Sequence, residues 1–370
     1  MKIALLIGGL GLGGAERQLA QLALGLRARG HEVEVMTYTA AGKGAEALAQ
    51  RDVPVRCPEA GNKAAKLAVV RDWLRTFCPD VLHGSMKRAS SLAVLANLPA
   101  RRCRVVGTDM STASYSRHKP DLWVALLLYA FTDAVVTQTE MNRRNLARLA
   151  PWLARRLRVI RNGVDTERFR PAERRESSGP FRFVSVGTVY RVKNPVRVVE
   201  AVHLLTRRGY RDFCLEWYGR PGLNADGAPS EDYQRAGELV RRLGLEEHVR
   251  FMGPRSDIEQ VYPRADALVH ASLQEGIPNA VVEGLACGLP VVVSRVSDLP
   301  LIVREANNGY VCDETRPESI ADAMEALLRA SPAERAAMGA RSRELAVRWF
   351  GMDRFIGEFE ALYRALVSRP

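Results

Sequence analysis

The sequence predicts an α/β protein made of two successive units, each with a parallel sheet. Strand and helix patterns alternate along most of the chain, which favours parallel strands joined by crossover helices. At 370 residues the chain exceeds one ordinary core and suits two domains of about 170 to 200 residues. A fresh buried-strand run, Phe181-Arg-Phe-Val-Ser-Val-Gly187, restarts the pattern near the midpoint.

The elements follow in order. Ile3 to Ile7 is an unbroken apolar run, and so a buried strand. Leu19, Leu22, Ala23 and Leu26 recur at i, i+3, i+4 and i+7, a helix closed by Gly30. Val33, Val35 and Thr37 alternate as the next strand. Val81-Leu82-His83, Arg104 to Gly107 and Ala134 to Thr137 continue the first unit. The second unit adds Phe213 to Gly219, Val249 to Gly253, Ala267 to Ala271 and Val291 to Ser294. The polar run Glu173 to Pro180 ends in Gly-Pro and reads as the linker. The expected domains are therefore 1–172 and 173–350, two Rossmann-like units facing across a cleft. Ligands of such sheets bind beyond the carboxyl ends of the strands. Trp349, Phe350, Phe355, Phe359 and Tyr363 form one aromatic stripe in a helical region that includes 351–370.

Composition narrows the function. An apolar fraction of 47% with 26% charged residues is ordinary for a soluble globular protein. Six cysteines lie scattered without C-x-x-C pairs, which fits reduced buried thiols and a cytoplasmic setting. The longest apolar run, Leu122 to Phe131, is far short of the roughly 20 residues that span a bilayer. Net charge is uneven: residues 1–170 hold 27 Lys and Arg against 14 Asp and Glu, while residues 171–370 hold 27 against 28. A basic first half suits an anionic membrane face or a phosphate-bearing acceptor. Nucleic acid is not expected as a partner, because no exposed aromatics interleave the basic residues.

Two carboxylates, Glu275 and Glu283, stand eight positions apart. Gly276 and Pro278 place the first in a loop; Ala280 to Cys287 reads as a helix carrying the second. Backbone N–H groups of Gly276, Ile277, Pro278 and Asn279, apart from the proline's missing one, would stand at the helix start, where polar ligands and anions bind. Gly9, Gly11 and Gly14 formally satisfy G-x-G-x-x-G, yet the second strand ends in Thr37-Tyr38-Thr39 without the acid a dinucleotide ribose needs. Gly13 and Gly14 then serve close approach to a phosphate or sugar. Gly187, Arg191 and Lys193 follow the first strand of the second unit, where cations would stabilise a departing phosphate.

Glu275 to Glu283 resembles the E-x7-E signature of the retaining GT-B glycosyltransferases of family 4. Four further stretches resemble that family in the same order. They are Gly13-Gly14-Ala15-Glu16-Arg17, Val159 to Pro171, Ser185 to Lys193, and Asn308-Gly309-Tyr310-Val311. The resemblance implies a GT-B fold whose last helix crosses back to the N-terminal domain. It implies front-face sugar transfer with retained anomeric configuration from a nucleotide sugar, with UDP the expected nucleotide and GDP the alternative. The basic first half points to a saccharide or polyprenyl-diphosphate-linked acceptor in surface polysaccharide or lipopolysaccharide assembly. The resemblance gives Lys193 the donor phosphate, Glu275 the donor sugar hydroxyls and Glu283 the ribose. The family's Arg after the glycine is Thr188 here, so Arg191 is expected to supply the guanidinium. His83 and Arg117 are the acceptor candidates. The family's histidine after the Val105-Val106 strand is missing, so Asp109 or His118 is expected near the acceptor hydroxyl. No D-x-D motif or metal-ligand cluster is present in the sequence, so no metal and no cofactor are expected. Two alternatives remain: a sugar-nucleotide epimerase of GT-B shape, or a catalytically silent nucleotide-sugar-binding partner of another transferase. Peripheral association with the cytoplasmic face of an inner membrane is a further expectation.

Overall fold

The computed structural model describes residues 1–11, 13–40, 42–58, 61–110, 120–172, 179–224 and 226–368. The chain divides into two compact units, Met1–Gly163 with Met352–Pro370, and Val164–Gly351.

The first unit holds β1 (Lys2–Gly9), β2 (Glu32–Ala40), β3 (Val55–Arg56), β4 (Val81–Gly84), β5 (Arg104–Asp109), β6 (Ala134–Thr137) and β7 (Leu157–Val159). They form one parallel sheet in the order β3-β2-β1-β4-β5-β6-β7. The second unit holds β8 (Phe181–Val186), β9 (Phe213–Tyr218), β10 (Val249–Gly253), β11 (Ala267–His270), β12 (Val291–Ser294) and β13 (Gly309–Cys312). Its parallel order is β10-β9-β8-β11-β12-β13. Helices cover both faces of a parallel sheet, so its strands carry apolar residues on both sides. Along β1, Ile3, Leu5 and Ile7 enter one core while Ala4 and Leu6 enter the other. In the second unit, Val292 faces one core and Val291 and Val293 face the opposite one. Strand order reverses between β1 and β4, and again between β8 and β11. These are the switch points at which doubly wound sheets bind ligands.

The expected boundary at 172/173 is corrected to Gly163/Val164. Val164 N–H donates to Phe350 O at 2.7 Å, and Val164 and Phe169 both lie in the second unit's core. The Arg343 guanidinium donates to the carbonyls of Thr166 and Phe169, each at 2.9 Å. Residues 173–178 of the expected linker lie outside the described residues. The single aromatic stripe is also corrected, because Gly351 interrupts it. Phe350 ends the helix Pro332–Phe350 in the second unit's core, whereas Phe355, Phe359 and Tyr363 lie on the helix Met352–Val367 in the first unit's core. That last helix packs on Gly14–Ala28, and a Cβ at Gly25 would sit 2.0 Å from Ile356 Cδ1. Only glycine permits so close an approach.

Candidate active site

The chemistry-bearing residues of the second unit gather at the carboxyl ends of β8 and β11. After β8, the chain turns at Gly187, whose φ of +144° is a conformation L side chains rarely adopt. It then makes a single 3-10 turn, Arg191–Lys193, ended by Asn194 in the left-handed region. The Asn194 amide donates to Ala271 O at 3.0 Å and Glu314 O at 2.8 Å, and Leu273 N–H donates to Val192 O at 2.8 Å. These bonds stitch the turn after β8 to the loop after β11.

The stitching brings Lys193 and Glu275 together. Lys193 Nζ donates to Glu275 Oε1, with the two side chains 18% and 12% exposed. The same oxygen faces His270 Nε2 at 2.9 Å, and Ser272 Oγ lies 3.1 Å from that nitrogen. Burial pulls the Glu275 carboxyl up, but the His270 hydrogen bond and the His270 and Lys193 charges outweigh it and hold it down at about 2. Glu275 is therefore an anion throughout the physiological range. Burial, and then the Lys193 ammonium, lower the pKa of His270; Glu275 pulls the other way. Arg191 is exposed on the same turn as Lys193.

Glu283 lies inside the helix Asn279–Ala286, capped at Pro278. It is buried, and Tyr262 Oη donates to its Oε2 at 2.9 Å. In the preceding loop Gly276 is half-buried, while Ile277 turns into the core and anchors the segment. Glu283 follows Glu275 by one loop and the first turn of helix, as the sequence pattern required.

The first unit differs from expectation at several residues. Gly13 caps the helix Gly14–Ala28, and its N–H donates to Glu16 Oε2 at 2.9 Å. The loop amide expected to meet a phosphate is thus occupied by a carboxylate of its own helix. His83, expected at an acceptor, is an interior packing group: Nδ1 meets Tyr363 Oη at 2.6 Å, Nε2 meets Thr108 Oγ1 at 2.5 Å, and Phe359 stacks on the ring. Burial lowers its pKa to about 3, so it stays neutral. Asp109 ends β5 fully buried and accepts from Tyr129 Oη at 3.3 Å. Arg117 and His118 lie outside the described residues.

Sequence reasoning passed over His270, Ser272, Tyr262 and Asn194. Only His270 carried a local signal, a polar residue closing an otherwise apolar buried strand.

Comparison with known proteins places the chain in a family. The family described as Glycosyl transferases group 1 matches residues 166–345, and Glycosyltransferase Family 4 matches residues 12–168. The chain belongs to the family 4 glycosyltransferases. Among its relatives, the protein named "Putative glycosyltransferase EpsD" of Bacillus subtilis is 29% identical over 337 residues, 85% of this chain and 84% of the relative. The D-inositol 3-phosphate glycosyltransferase of Corynebacterium jeikeium is 30% identical over 205 residues, 52% of this chain and 48% of the relative. This chain spans about half to three fifths of the length of the first curated relatives that it matches, at 48%, 60% and 52%. Among solved structures, Anabaena Alr3699/HepE in complex with UDP superposes with a TM-score of 0.87 at 20% identity, covering 99% of this chain and 100% of that one. The fold is accordingly that of the GT-B glycosyltransferases.

Proposed function

We propose that this protein transfers a sugar from a UDP-sugar to a saccharide or lipid-linked acceptor with retention of configuration, in surface polysaccharide or lipopolysaccharide assembly. The observation that carries the reading is the Lys193–Glu275–His270 cluster at the β8/β11 switch point. The UDP seen in the HepE complex supports the choice of nucleotide. As the bond from the anomeric carbon to the phosphate oxygen breaks, its electrons pass to the diphosphate. Lys193, with Arg191 on the same turn, stabilises that growing charge more than the ground state. Glu275 accepts hydrogen bonds from sugar hydroxyls, and Glu283 accepts from the ribose. In this reading cationic side chains, not a metal, balance the phosphates. The acceptor hydroxyl takes the vacated position and loses its proton to the departing phosphate oxygen.

The two carboxylates separate experimentally. Glu283→Ala raises the Kd for UDP by about ten- to a hundredfold, roughly 1.4 to 2.7 kcal/mol. Glu275→Ala leaves UDP affinity nearly unchanged and lowers turnover. Titration calorimetry with UDP, alongside melting curves as a folding control, checks the split; equal effects on affinity contradict it. Incubation with donor alone, followed for an isomerised sugar, distinguishes an epimerase. Donor consumption that disappears in Lys193→Ala excludes a silent partner.

A membrane-facing acceptor fits the first unit. Among the described residues, no helix is long and apolar enough to cross a membrane. The helix Pro120–Tyr129 instead leaves Val124 and Leu127 exposed at 57% and 59%, and Phe131 just beyond it at 49%. This i, i+3, i+7 ridge stands in the half of the chain that carries the excess of Lys and Arg. The protein is expected to sediment with vesicles containing phosphatidylglycerol but not with pure phosphatidylcholine. Leu127→Asp weakens that binding several-fold at unchanged melting temperature. Equal sedimentation of variant and wild type removes the ridge from the reading.

A further inference from the structure

His270 is the one buried ionisable group of the donor cluster to which the proposed reaction gives no part. It ends β11, between β8 and β12, with 4% of its surface exposed. A carboxylate can only accept hydrogen bonds, so the 2.9 Å contact with Glu275 fixes the imidazole proton on Nε2. Both donors to Glu275 meet at the same oxygen, Oε1: the ammonium of Lys193 and the N–H of His270. The cluster in this state is self-compensated, cation against anion.

Donor binding disturbs that balance. A diphosphate carries more charge than a single carboxylate and draws the Lys193 ammonium toward itself. Glu275 Oε1, only slightly exposed, would then be left with one partner fewer. An anion left so costs several kcal/mol unless a donor remains. His270 is rigid where Lys193 is mobile: its ring is set at the end of a buried strand, whereas Lys193 reaches in on a four-carbon stem from a surface turn.

We propose that His270 is a positioning residue that keeps Glu275 aimed at the donor sugar when the Lys193 ammonium passes from that carboxylate to the donor diphosphate. This rests on the donor reading above and deepens it. The groups facing the ring are Lys193 from the turn after β8, and Glu275 and Ser272 from its own loop. Of these, Lys193 opposes a charge on the imidazole and Glu275 favours one. Withdrawal of the ammonium therefore lets the ring take up a proton more readily, which strengthens its hold on Glu275 at the moment the lysine leaves.

The test compares wild type, His270→Leu and His270→Gln, whose amide N–H can occupy the place of Nε2–H. UDP binding is measured by calorimetry, and turnover with whichever nucleotide sugar most raises the wild-type melting temperature. In His270→Leu, kcat falls about ten- to a hundredfold, since misplacing a reacting-site group by an ångström has effects of that order. The Kd for UDP stays within about threefold, because Lys193 and Glu283 are intact. His270→Gln restores kcat to within about fivefold of wild type, and its kcat loses the inflection that the imidazole contributes to the pH profile. Histidine labelling of the ligand-free protein gives an independent reading: His270 protonates at higher pH in Lys193→Met than in wild type. A merely structural histidine would lower melting temperature and active fraction in both variants and leave kcat per folded site alone. Unchanged kcat in His270→Leu, or no rescue by glutamine, overturns the positioning role. Wild-type protein that binds no UDP overturns the donor reading itself, a result visible before any variant is made.

Discussion

Lys193→Ala is expected to lower turnover of the nucleotide sugar by about 10²- to 10³-fold, on the order of 3 to 4 kcal/mol of lost transition-state stabilisation. The effect is large because the charge that Lys193 balances appears as the sugar–phosphate bond breaks, and a largely buried ammonium counts for more there than in bulk solvent. UDP affinity falls less than turnover, since ground-state phosphates already find Arg191 and solvent. The substitution also removes one of two donors from Glu275 and leaves it the His270 N–H. A modest drop in melting temperature therefore accompanies the kinetic loss without abolishing the fold. Steady-state kinetics with calorimetry as the binding control measures the split. Turnover within about fivefold of wild type would take Lys193 out of the reaction.

Phe359→Ala is expected to destabilise the first unit by about 3 to 5 kcal/mol. Phe359 stacks on His83 at 5.2 Å between ring centroids and meets Phe355 and Tyr363 at 5.2 and 5.9 Å. The ring is buried and lines a small cavity of about 20 Å³ beside His83, so its loss removes packing from the core around it. A change of that size lowers the melting temperature of a unit this large by roughly 10 °C. Calorimetry should show the shift in one transition only, with the transition of Val164–Gly351 in place. A shift below about 2 °C would mean that the last helix contributes little to the first core.

Much of this was legible in the sequence because it rests on local pattern. Apolar runs such as Ile3 to Ile7 and Val291 to Val293 announced the strands, and the Gly276-Ile277-Pro278 break before Ala280 announced a loop feeding a helix that carries Glu283. What was not legible depends on partners distant in the chain. The unit boundary was misplaced because the polar run Glu173 to Pro180 reads as the linker, and nothing near Val164 and Phe169 in the sequence reports Phe350 and Tyr262 beside them. His83 looked available because nothing near it in sequence reports Tyr363, 280 positions away. His270 was passed over for the converse reason: its strand reads as ordinary core, and its meaning appears only when the turn at Lys193 is stitched alongside.

The first unit is assembled from two stretches that bracket the whole of the second. On the ribosome, the residues up to Gly163 emerge with Leu19, Leu22 and Leu26 lacking the apolar side chains of Met352–Val367 that complete their core. The intervening stretch Val164–Gly351 emerges with its core partners in hand and can close first. The 163 residues made first thus wait, sticky-faced, for the sixteen-residue helix Met352–Val367 before their own core can close.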